Sequence, residues 1–525
     1  MGPIFKTAKQ CCDVRIACGF AALVFFTYAY NYHGATWNQN SRFDMVFTTV
    51  EPSSAEQPLF AIDRFLPAPD LGLNTGDWSY YPGTCRQTEK GWLGEGGHYY
   101  SNKAPGPALL GIIAYGILHP LERSLGMHPD QPGVALANAY LIHLWATVLP
   151  LTLAALAAYQ LLLNLTKQDR KRTFLGMLAL FWGSLLWPYA SQFWGHATAA
   201  AFVIIGLWGF MKPPGWLQAL SGLAIGLAVL CEYSCAFFVI GMCVTRAVQR
   251  DWCSLGLLLA GGLIPFSLFA WYHWICFGNP LAVANLYNNP GFRDTGAVGG
   301  LFSTVDPEAI VGLTVSPDKG LFLLMPVLGI AIPALYLRAR ERLATALEWL
   351  CAGTIAAFFI MNISFNGWHG GMCIGPRYQI PVLPAYILLL VLLPQHRLAT
   401  LALATGTAIS VCNMLVVTLI TPLGFDRSST SLQVCYESVG QMLFQGKNML
   451  HPYQGPIRLQ AVETRLGDWE CFNWGELASL EGRSSVLPLL FVFGASLYLL
   501  WRDSAREPQG ENDKALETCD QGHPG

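Results

Sequence analysis

The chain has 525 residues, of which 53% are hydrophobic and only 12% carry a charge. Soluble domains contain about 25% charged residues, so this composition excludes an ordinary soluble domain and indicates a polytopic membrane protein. The formal net charge is −2, so the composition gives no basic surface of the kind that attracts nucleic acid. We therefore expect no nucleic acid among the partners.

Apolar runs, taken in chain order, predict an all-α protein of membrane-spanning helices. Crossing a hydrocarbon core about 30 Å thick takes about 20 apolar residues, and about 12 runs qualify, within a range of about 11 to 13. They are 14–32, 136–165, 173–188, 196–211, 216–231, 235–248, 254–277, 320–337, 344–363, 379–394, 399–420 and 485–502. No small-residue cleavage site follows the first run cleanly, so we interpret it as an uncleaved anchor. A further run, 105–121, is marginal, and we interpret it as re-entrant or interfacial.

Basic clusters predict which segments face the cytoplasm, because short cytoplasmic loops are enriched in Lys and Arg. The clusters are Lys6, Lys9 and Arg15, KQDRKR at 167–172, Arg246 and Arg250, RARER at 338–342, Arg397, and the tail from Arg502. With both termini inside, the outer segments are 33–104, 278–319, 364–378 and 421–484. We expect one transmembrane domain, 1–502, and a disordered cytoplasmic tail, 503–525, which is polar and charged.

The first outer loop, 33–104, begins with NSRFDMVFTTVE, where Phe43, Phe47 and Val50 have helical spacing. This spacing predicts a short amphipathic helix at the membrane surface. The loop ends with NTGDWSYY and GHYYSNKAPG, which are aromatic and rich in turn residues. We expect the two parts to form a lid over the bilayer edge, and the late outer loop, 421–484, is long enough to cover a cavity.

Lys103 directly precedes an apolar run that opens with Pro105 and Pro107. Proline is tolerated in the first turn of a helix, where the amide hydrogen has no helical partner. The free amides of a helix start favour an anion, and a lysine beside them adds a full positive charge. The stretch predicts a phosphate site at the membrane surface, with a lysine that snorkels to the headgroups as the alternative.

Two later outer segments also carry cations at the start of a span. SPDKG at 316–320 holds Lys319, and NGWHGGMCIGPRYQIPVLP at 366–384 holds Arg377. Arginine binds phosphate oxygens through two parallel hydrogen bonds, and the glycines around it allow a close backbone approach. We expect Lys103, Lys319 and Arg377 to bind phosphate, with Tyr378 beside them. Trp368 and His369 are candidates for the substrate cavity.

Three further residues are ionisable or polar at the ends of apolar runs. His196 lies in FWGHATAA, and Glu232 and Tyr233 lie in LCEYS. Such residues are costly at membrane depth without a partner, so we list them as candidates for the cavity, with a buried structural network as the alternative. No Cys or His spacing is typical of zinc. Cys85, Cys435 and Cys471 lie in outer segments, and the sequence does not pair them.

The order of these motifs, from NSR, AID, NTGDW and GHYYSNKAPG to FWGHATAA, LCEYS, SPDKG and GPRYQIPVLP, resembles the GT-C superfamily of integral membrane glycosyltransferases. The resemblance is to the branch of protein mannosyltransferases and aminoarabinose transferases and runs over roughly residues 14–420. It implies a polyprenyl-phosphate sugar donor, a catalytic carboxylate in the first outer loop, and basic residues that hold the lipid phosphate.

Carried over by motif, GDW corresponds to Asp77 and its neighbours, the lysine-proline element to Lys103, and the arginine-tyrosine element to Arg377 and Tyr378. Relatives place an acidic pair just before the first-loop arginine, whereas QNSR stands at 39–42 here, with Arg42 as that arginine. The role of the base therefore passes to Asp44, Asp63 or Asp77.

The resemblance implies transfer of a sugar to an acceptor hydroxyl of a glycan, lipid or protein on the periplasmic or luminal face, with inversion at the anomeric carbon. Protein cations can neutralise the leaving phosphate, so no cofactor is required, although a divalent cation is compatible with the chemistry. The alternative function is a transporter or flippase of lipid-linked sugars. The bacterial inner membrane is the expected location, with the endoplasmic reticulum membrane as the alternative.

Overall fold

The computed structural model describes residues 8–34, 36–52, 54–65, 75–89, 91–293, 301–423, 431–445 and 471–505. The predicted tail from residue 506 onward lies outside these residues, as do 424–430 and 446–470 of the late outer loop.

Helices dominate the described residues, as the composition predicts. They are α1 (Ala8–Ala29), α2 (Trp37–Val50), α3 (Gly106–Ser124), α4 (Pro132–His143), α5 (Leu149–Leu165), α6 (Arg170–Phe181), α7 (Leu186–Tyr189), α8 (Gly195–Phe210), α9 (Trp216–Cys231), α10 (Ala236–Val248), α11 (Trp252–Phe277), α12 (Pro307–Val315), α13 (Leu321–Leu324), α14 (Ala331–Arg340), α15 (Ala346–Ile363), α16 (Leu383–Leu390), α17 (Arg397–Ile420), α18 (Ser431–Gln445), α19 (Trp474–Leu477) and α20 (Arg483–Ala505). The strands are short: β1 (Asn31–His33), β2 (Trp78–Tyr81), β3 (Thr84–Thr88), β4 (Gly91–Glu95), β5 (His98–Ser101) and β6 (Cys471–Asn473).

Six helices of the described chain are long and apolar enough to cross a membrane. They are Gln10–Ala29, Gly133–Leu165, Trp252–Phe277, Ala346–Ile363, Arg397–Ile420 and Arg483–Ala505. Each coincides with a predicted run, and three more runs form the shorter apolar helices Gly195–Phe210, Trp216–Cys231 and Tyr233–Val248. The prediction of an all-α polytopic membrane protein is confirmed, while the count of about 12 spans stays a prediction.

The three remaining predicted runs are interrupted helices, and the first of them, 173–188, is divided between α6 and α7. The run 320–337 is divided into α13, a 3-10 turn that begins at Pro326, and α14. The run 379–394 begins as a 3-10 turn that contains Pro381 and continues as α16. Proline removes a backbone donor and clashes with the preceding turn, which apolar composition alone does not register.

The described part of the predicted first outer loop, 33–104, is folded against the helical bundle. Helix α2 is present as predicted, but 11 of its residues, from Asn38 to Thr48, are buried, including polar ones. The helix therefore lies inside the protein and not at the membrane surface, where an amphipathic helix was predicted. The burial is possible because Thr36 caps the helix, Thr48 donates to the Asp44 carbonyl, and α3 packs along α2.

Two antiparallel pairings bring distant parts of the chain together at the end of the bundle where the predicted outer segments lie. Strand β1 pairs with β6, so that Asn31 lies opposite Asn473 and the first helix is tied to the last one. Strand β2 pairs with β5, so that Trp78 lies opposite Ser101, and the hairpin of β3 and β4 is enclosed between them. The register of β2 and β5 determines which residues meet in the site.

Candidate active site

A cavity of about 680 Å³ opens between the first outer loop and the segments that contain residues 285–293 and 365–378. Its described lining comprises Thr36, Trp37, Asn38, Asp77, Asn102, Lys103, Trp194, Asn285, Asn288, Gly291, Phe292, Arg293, Leu301, Phe365, Asn366, Gly367, His369, Gly370, Gly371, Met372, Arg377, Tyr378 and Leu423. This lining combines cations, amides and aromatic rings, and it lies where three predicted outer segments meet.

Asp77 and Lys103 form an ion pair on the cavity wall. Asp77 directly precedes β2 and Lys103 follows β5, so the pairing of these strands brings the two side chains together. Lys103 Nζ lies 3.0 Å from Asp77 Oδ1, and the side chains are 17% and 15% exposed. Burial lowers the pKa of the Lys103 ammonium, although the Asp77 carboxylate opposes that shift. The pair places a carboxylate and a cation within reach of the same ligand.

Arg377 lies on the opposite segment, at the start of a 3-10 turn. Its guanidinium carbon is 5.1 Å from the ring centroid of Trp194 and 5.0 Å from that of Tyr378. Arg377 Nη2 also donates to Tyr378 Oη at 3.0 Å. A Cβ at Gly370, where φ is +71°, would lie 3.1 Å from Arg377 Cγ, so glycine is needed there for both backbone conformation and space.

The Lys319 side chain lies behind this wall and is not among the described lining residues. Its Nζ donates to the carbonyl of Gly371 at 3.0 Å and to that of Cys373, and lies 3.6 Å from Asp318 Oδ2. Lys319 is 6% exposed. In this structure it therefore holds the glycine-rich segment in place, beside the predicted phosphate site.

A buried network of charged side chains lies next to the cavity. His196 Nδ1 is 3.0 Å from Glu232 Oε1, and Arg42 Nη2 is 4.0 Å from the same oxygen. Arg42 also donates to the carbonyl and side chain of Asn38, which lines the cavity. Burial lowers the pKa of Arg42 to about 10, against the opposing effect of Glu232. The network supports the cavity wall from behind.

The three candidate carboxylates occupy different environments. Asp77 lines the cavity, whereas Asp63 and Asp44 are not in its described lining. Asp63 accepts from the Tyr99 backbone amide at 2.9 Å and lies 3.0 Å from His98 Nδ1. Asp44 is buried within α2. Among the three, Asp77 is the carboxylate that a ligand in the cavity would meet.

The other sequence candidates are divided in the same way. His369 lines the cavity, and its Nδ1 accepts from the Gly371 amide at 2.9 Å. Trp368 packs against the apolar cluster that contains Leu313 and Ile363. Tyr233 Oη lies 3.0 Å from His273 Nε2, outside the described lining.

The sequence interpretation missed the asparagines of the lining: Asn38, Asn102, Asn285, Asn288 and Asn366. It also missed Arg293, Trp37 and Trp194. Asn102 immediately precedes Lys103, and Asn285 and Asn288 occur in ANLYNNPGF. Because asparagine is also frequent in turns, these stretches are typical of loops and do not reveal a binding surface.

Cysteines and potential metal ligands give no further site in the described residues. Cys85 and Cys435 are free thiols there. No group of three or more His, Cys, Asp or Glu side chains within the described ranges is arranged to hold a metal ion.

No protein-family model matches the sequence, and no curated protein is similar enough to match it. Two solved structures that match are crystal structures of ArnT from Cupriavidus metallidurans, one bound to undecaprenyl phosphate and one in the apo state. Each is 15% identical to this chain, over 99% of this chain and 82% of ArnT, with TM-scores of 0.46 and 0.43.

Proposed function

We propose that the protein is a GT-C membrane glycosyltransferase that moves a sugar from a polyprenyl-phosphate donor to an acceptor hydroxyl. The observation that carries the proposal is the Asp77 and Lys103 ion pair, at 3.0 Å, on the wall of a cavity that Arg377 also lines. A carboxylate and separate cations around one cavity are the groups that this reaction uses.

Lys103 and Arg377 bind the donor phosphate in this proposal. The bond to the leaving phosphate breaks in the transition state, so negative charge grows on the phosphate oxygens. Cations placed at those oxygens therefore stabilise the transition state more than the bound donor. Arg377 is suited to this role because its guanidinium contacts aromatic rings and a tyrosine hydroxyl, which fix its position and leave its charge available.

Asp77 is the general base of the proposed step. The acceptor oxygen forms a bond to the anomeric carbon, and the hydroxyl proton passes to the Asp77 carboxylate. The bond between the anomeric carbon and the phosphate oxygen breaks, and its electron pair leaves with the phosphate. One displacement inverts the anomeric configuration. General base catalysis of this kind contributes about 10²- to 10⁴-fold to a rate.

The site lies on the outer face of the membrane in this proposal. Helix α15 begins just after the basic run at 338–342 and ends just before the cavity residues 365–372. Its 18 residues span about 27 Å at 1.5 Å per residue, close to the hydrocarbon thickness of about 30 Å. Since basic loops face the cytoplasm, the cavity faces the periplasm or the lumen. The bacterial inner membrane is the favoured location.

The test uses purified protein in lipid nanodiscs, incubated with radiolabelled undecaprenyl-phosphate sugars and candidate acceptors. We expect sugar release that is lost in Lys103→Ala and Asp77→Asn. Glu95→Gln is the matched control, because Glu95 pairs with Arg86 on an exposed hairpin of the same loop. Donor binding that depends on Lys103 but gives no turnover with any sugar would contradict the proposal and favour the alternative, a transporter of lipid-linked sugars.

A further inference from the structure

The cavity has an unusual concentration of amide side chains, which we call the amide wall: Asn38, Asn102, Asn285, Asn288 and Asn366. Amides both donate and accept hydrogen bonds without carrying a charge, so they match the hydroxyl groups of a sugar. Aromatic rings face the same space, and their apolar faces suit the carbon skeleton of a sugar ring.

Within the amide wall, Asn102 and Asn288 form a fixed pair. Asn102 Nδ2 donates to Asn288 Oδ1 at 2.6 Å, and the Asn289 backbone amide is shared between Asn288 Oδ1 at 3.1 Å and the Trp78 carbonyl at 3.0 Å. Because a backbone amide can only donate, the atom of Asn288 at this point is its oxygen, and the atom of Asn102 that meets it is the donor nitrogen. The amide orientation of Asn102 is therefore determined by its surroundings.

This orientation leaves one acceptor unused. Asn102 is 4% exposed, and its Oδ1 is buried without a hydrogen-bond partner among the described residues. A buried acceptor without a donor is destabilising, and most such atoms in proteins are satisfied. Asn102 belongs to the cavity lining, next to Lys103 in the chain. A hydroxyl of a ligand beside the phosphate site is the donor that would satisfy it.

The charges of the lining point in the same direction. Asp77 is the one carboxylate among the described lining residues, and it is already paired with Lys103. Arg293 and Arg377 add further positive charge. Among the described lining residues, an ammonium group on the sugar would find cations and no carboxylate other than the paired Asp77, whereas hydroxyls would find amides.

We propose that the transferred sugar is uncharged, and that Asn102 is a specificity-determining residue whose Oδ1 accepts a hydrogen bond from one hydroxyl of that sugar. This inference rests on the proposed function and adds the class of sugar. It separates the chain from a transferase of amino sugars, which needs an anion or a larger set of acceptors for the amine.

The experiment compares undecaprenyl-phosphate donors of one hexose in which each hydroxyl is replaced in turn by hydrogen or by an amine, with the matching uronic acid included. We expect the parent hexose to exceed every amine analogue and the uronic acid in kcat/KM by about 10-fold or more. One deoxy donor should lose about 10- to 100-fold, as expected when a buried acceptor loses its partner.

Variants of Asn102 link that pattern to the residue. In Asn102→Ala, the sensitive deoxy donor and the parent hexose should react at similar rates, while the other deoxy donors keep their wild-type order. Asn164→Ala, at an exposed asparagine at the end of α5, is the matched control and should leave the selectivity unchanged.

The outcomes separate this inference from the proposed function. Preferred turnover of an amine analogue or the uronic acid would overturn the inference and leave the glycosyltransferase proposal standing. An unchanged deoxy pattern in Asn102→Ala, with parent-hexose turnover retained, would overturn the role of Asn102. Absence of turnover with every donor would overturn the proposed function and this inference together.

Discussion

Arg377 at the cavity differs from three arginines at the opposite end of the helical bundle in the groups that contact its guanidinium. At the end with the basic loops, Arg170 pairs with Asp13 at 2.7 Å and Arg246 with Asp251 at 3.3 Å. Arg338 pairs with Glu348, which also completes a capping box on α15. At the cavity, no described carboxylate oxygen lies within 4.0 Å of the Arg377 guanidinium, which contacts aromatic rings instead. A paired arginine holds the structure together, whereas an arginine held by rings and a hydroxyl keeps its charge for an anion.

The largest effect is expected from replacing the carboxylate that lines the cavity. Asp77→Asn removes the proposed base and should lower kcat by about 10²- to 10⁴-fold, with a smaller change in KM. The measurement is single-turnover sugar transfer in nanodiscs. Asp63→Asn serves as the comparison, because Asp63 bonds to Tyr99 and His98 outside the described lining. Equal losses in the two variants would contradict the assignment of the base.

Arg377 provides the next largest effect. Arg377→Gln removes a cation from the leaving phosphate and should lower kcat/KM by about 10²-fold, without an equal loss of stability.

Arg338, which is paired with a carboxylate, should behave in the opposite way. Arg338→Gln leaves the buried Glu348 without its partner and should cost about 3 kcal/mol of unfolding free energy, while donor affinity is unchanged. Transfer kinetics and thermal unfolding of both variants, measured together, check the contrast. A loss of stability in both with no kinetic difference would contradict it.

The sequence predicts both members of the ion pair in the cavity but not their contact. Lys103 and Asp77 are predicted candidates because one precedes a proline-led helix and both match family motifs. Their contact depends on the register of β2 and β5, in which Trp78 lies opposite Ser101. Two short strands separated by a nested hairpin have many possible registers, so the sequence alone did not predict the ion pair.

The amide wall was not predicted for a different reason. Asn102 and Asn288 lie in turn-rich stretches, and they become neighbours only when the segment before Arg293 packs beside β2, where Asn289 donates to the Trp78 carbonyl. That contact joins residues about 200 positions apart in the chain. The apolar runs, by contrast, predict helices well because burial in lipid requires them, although interruptions at Pro326 and Pro381 go unnoticed.

A smaller effect is expected from the titration of Lys103. Burial lowers the pKa of Lys103 below its ordinary value, which is about 10.4 for an exposed lysine. The ammonium is charged below its pKa and loses its charge as the pH rises through it. Donor binding should therefore weaken at a pH below the pKa of an ordinary lysine. The measurement is the pH dependence of donor affinity.

Lys103→Arg is the matched variant for this titration. Arginine keeps its charge throughout the accessible range, so the alkaline decrease in donor affinity should move to higher pH even if the affinity at neutral pH changes. An alkaline decrease that is identical in the wild type and the variant would assign the titration to another group.

The smallest expected effect concerns divalent cations. Lys103, Arg377 and Arg293 line the same cavity, and protein cations of this kind stabilise a leaving phosphate without a metal. Turnover should therefore change by less than about 2-fold when EDTA is added and when Mg²⁺ or Mn²⁺ is restored. The informative comparison is with Arg377→Gln, because a cavity that has lost one of its cations has the most to gain from an added metal. Rescue of that variant by a divalent ion, with no effect on the wild type, would show that the side-chain cations of the wild type stabilise the leaving phosphate as a metal ion would. A strict metal requirement in the wild type would contradict the proposal that the cations of the cavity stabilise the leaving phosphate by themselves.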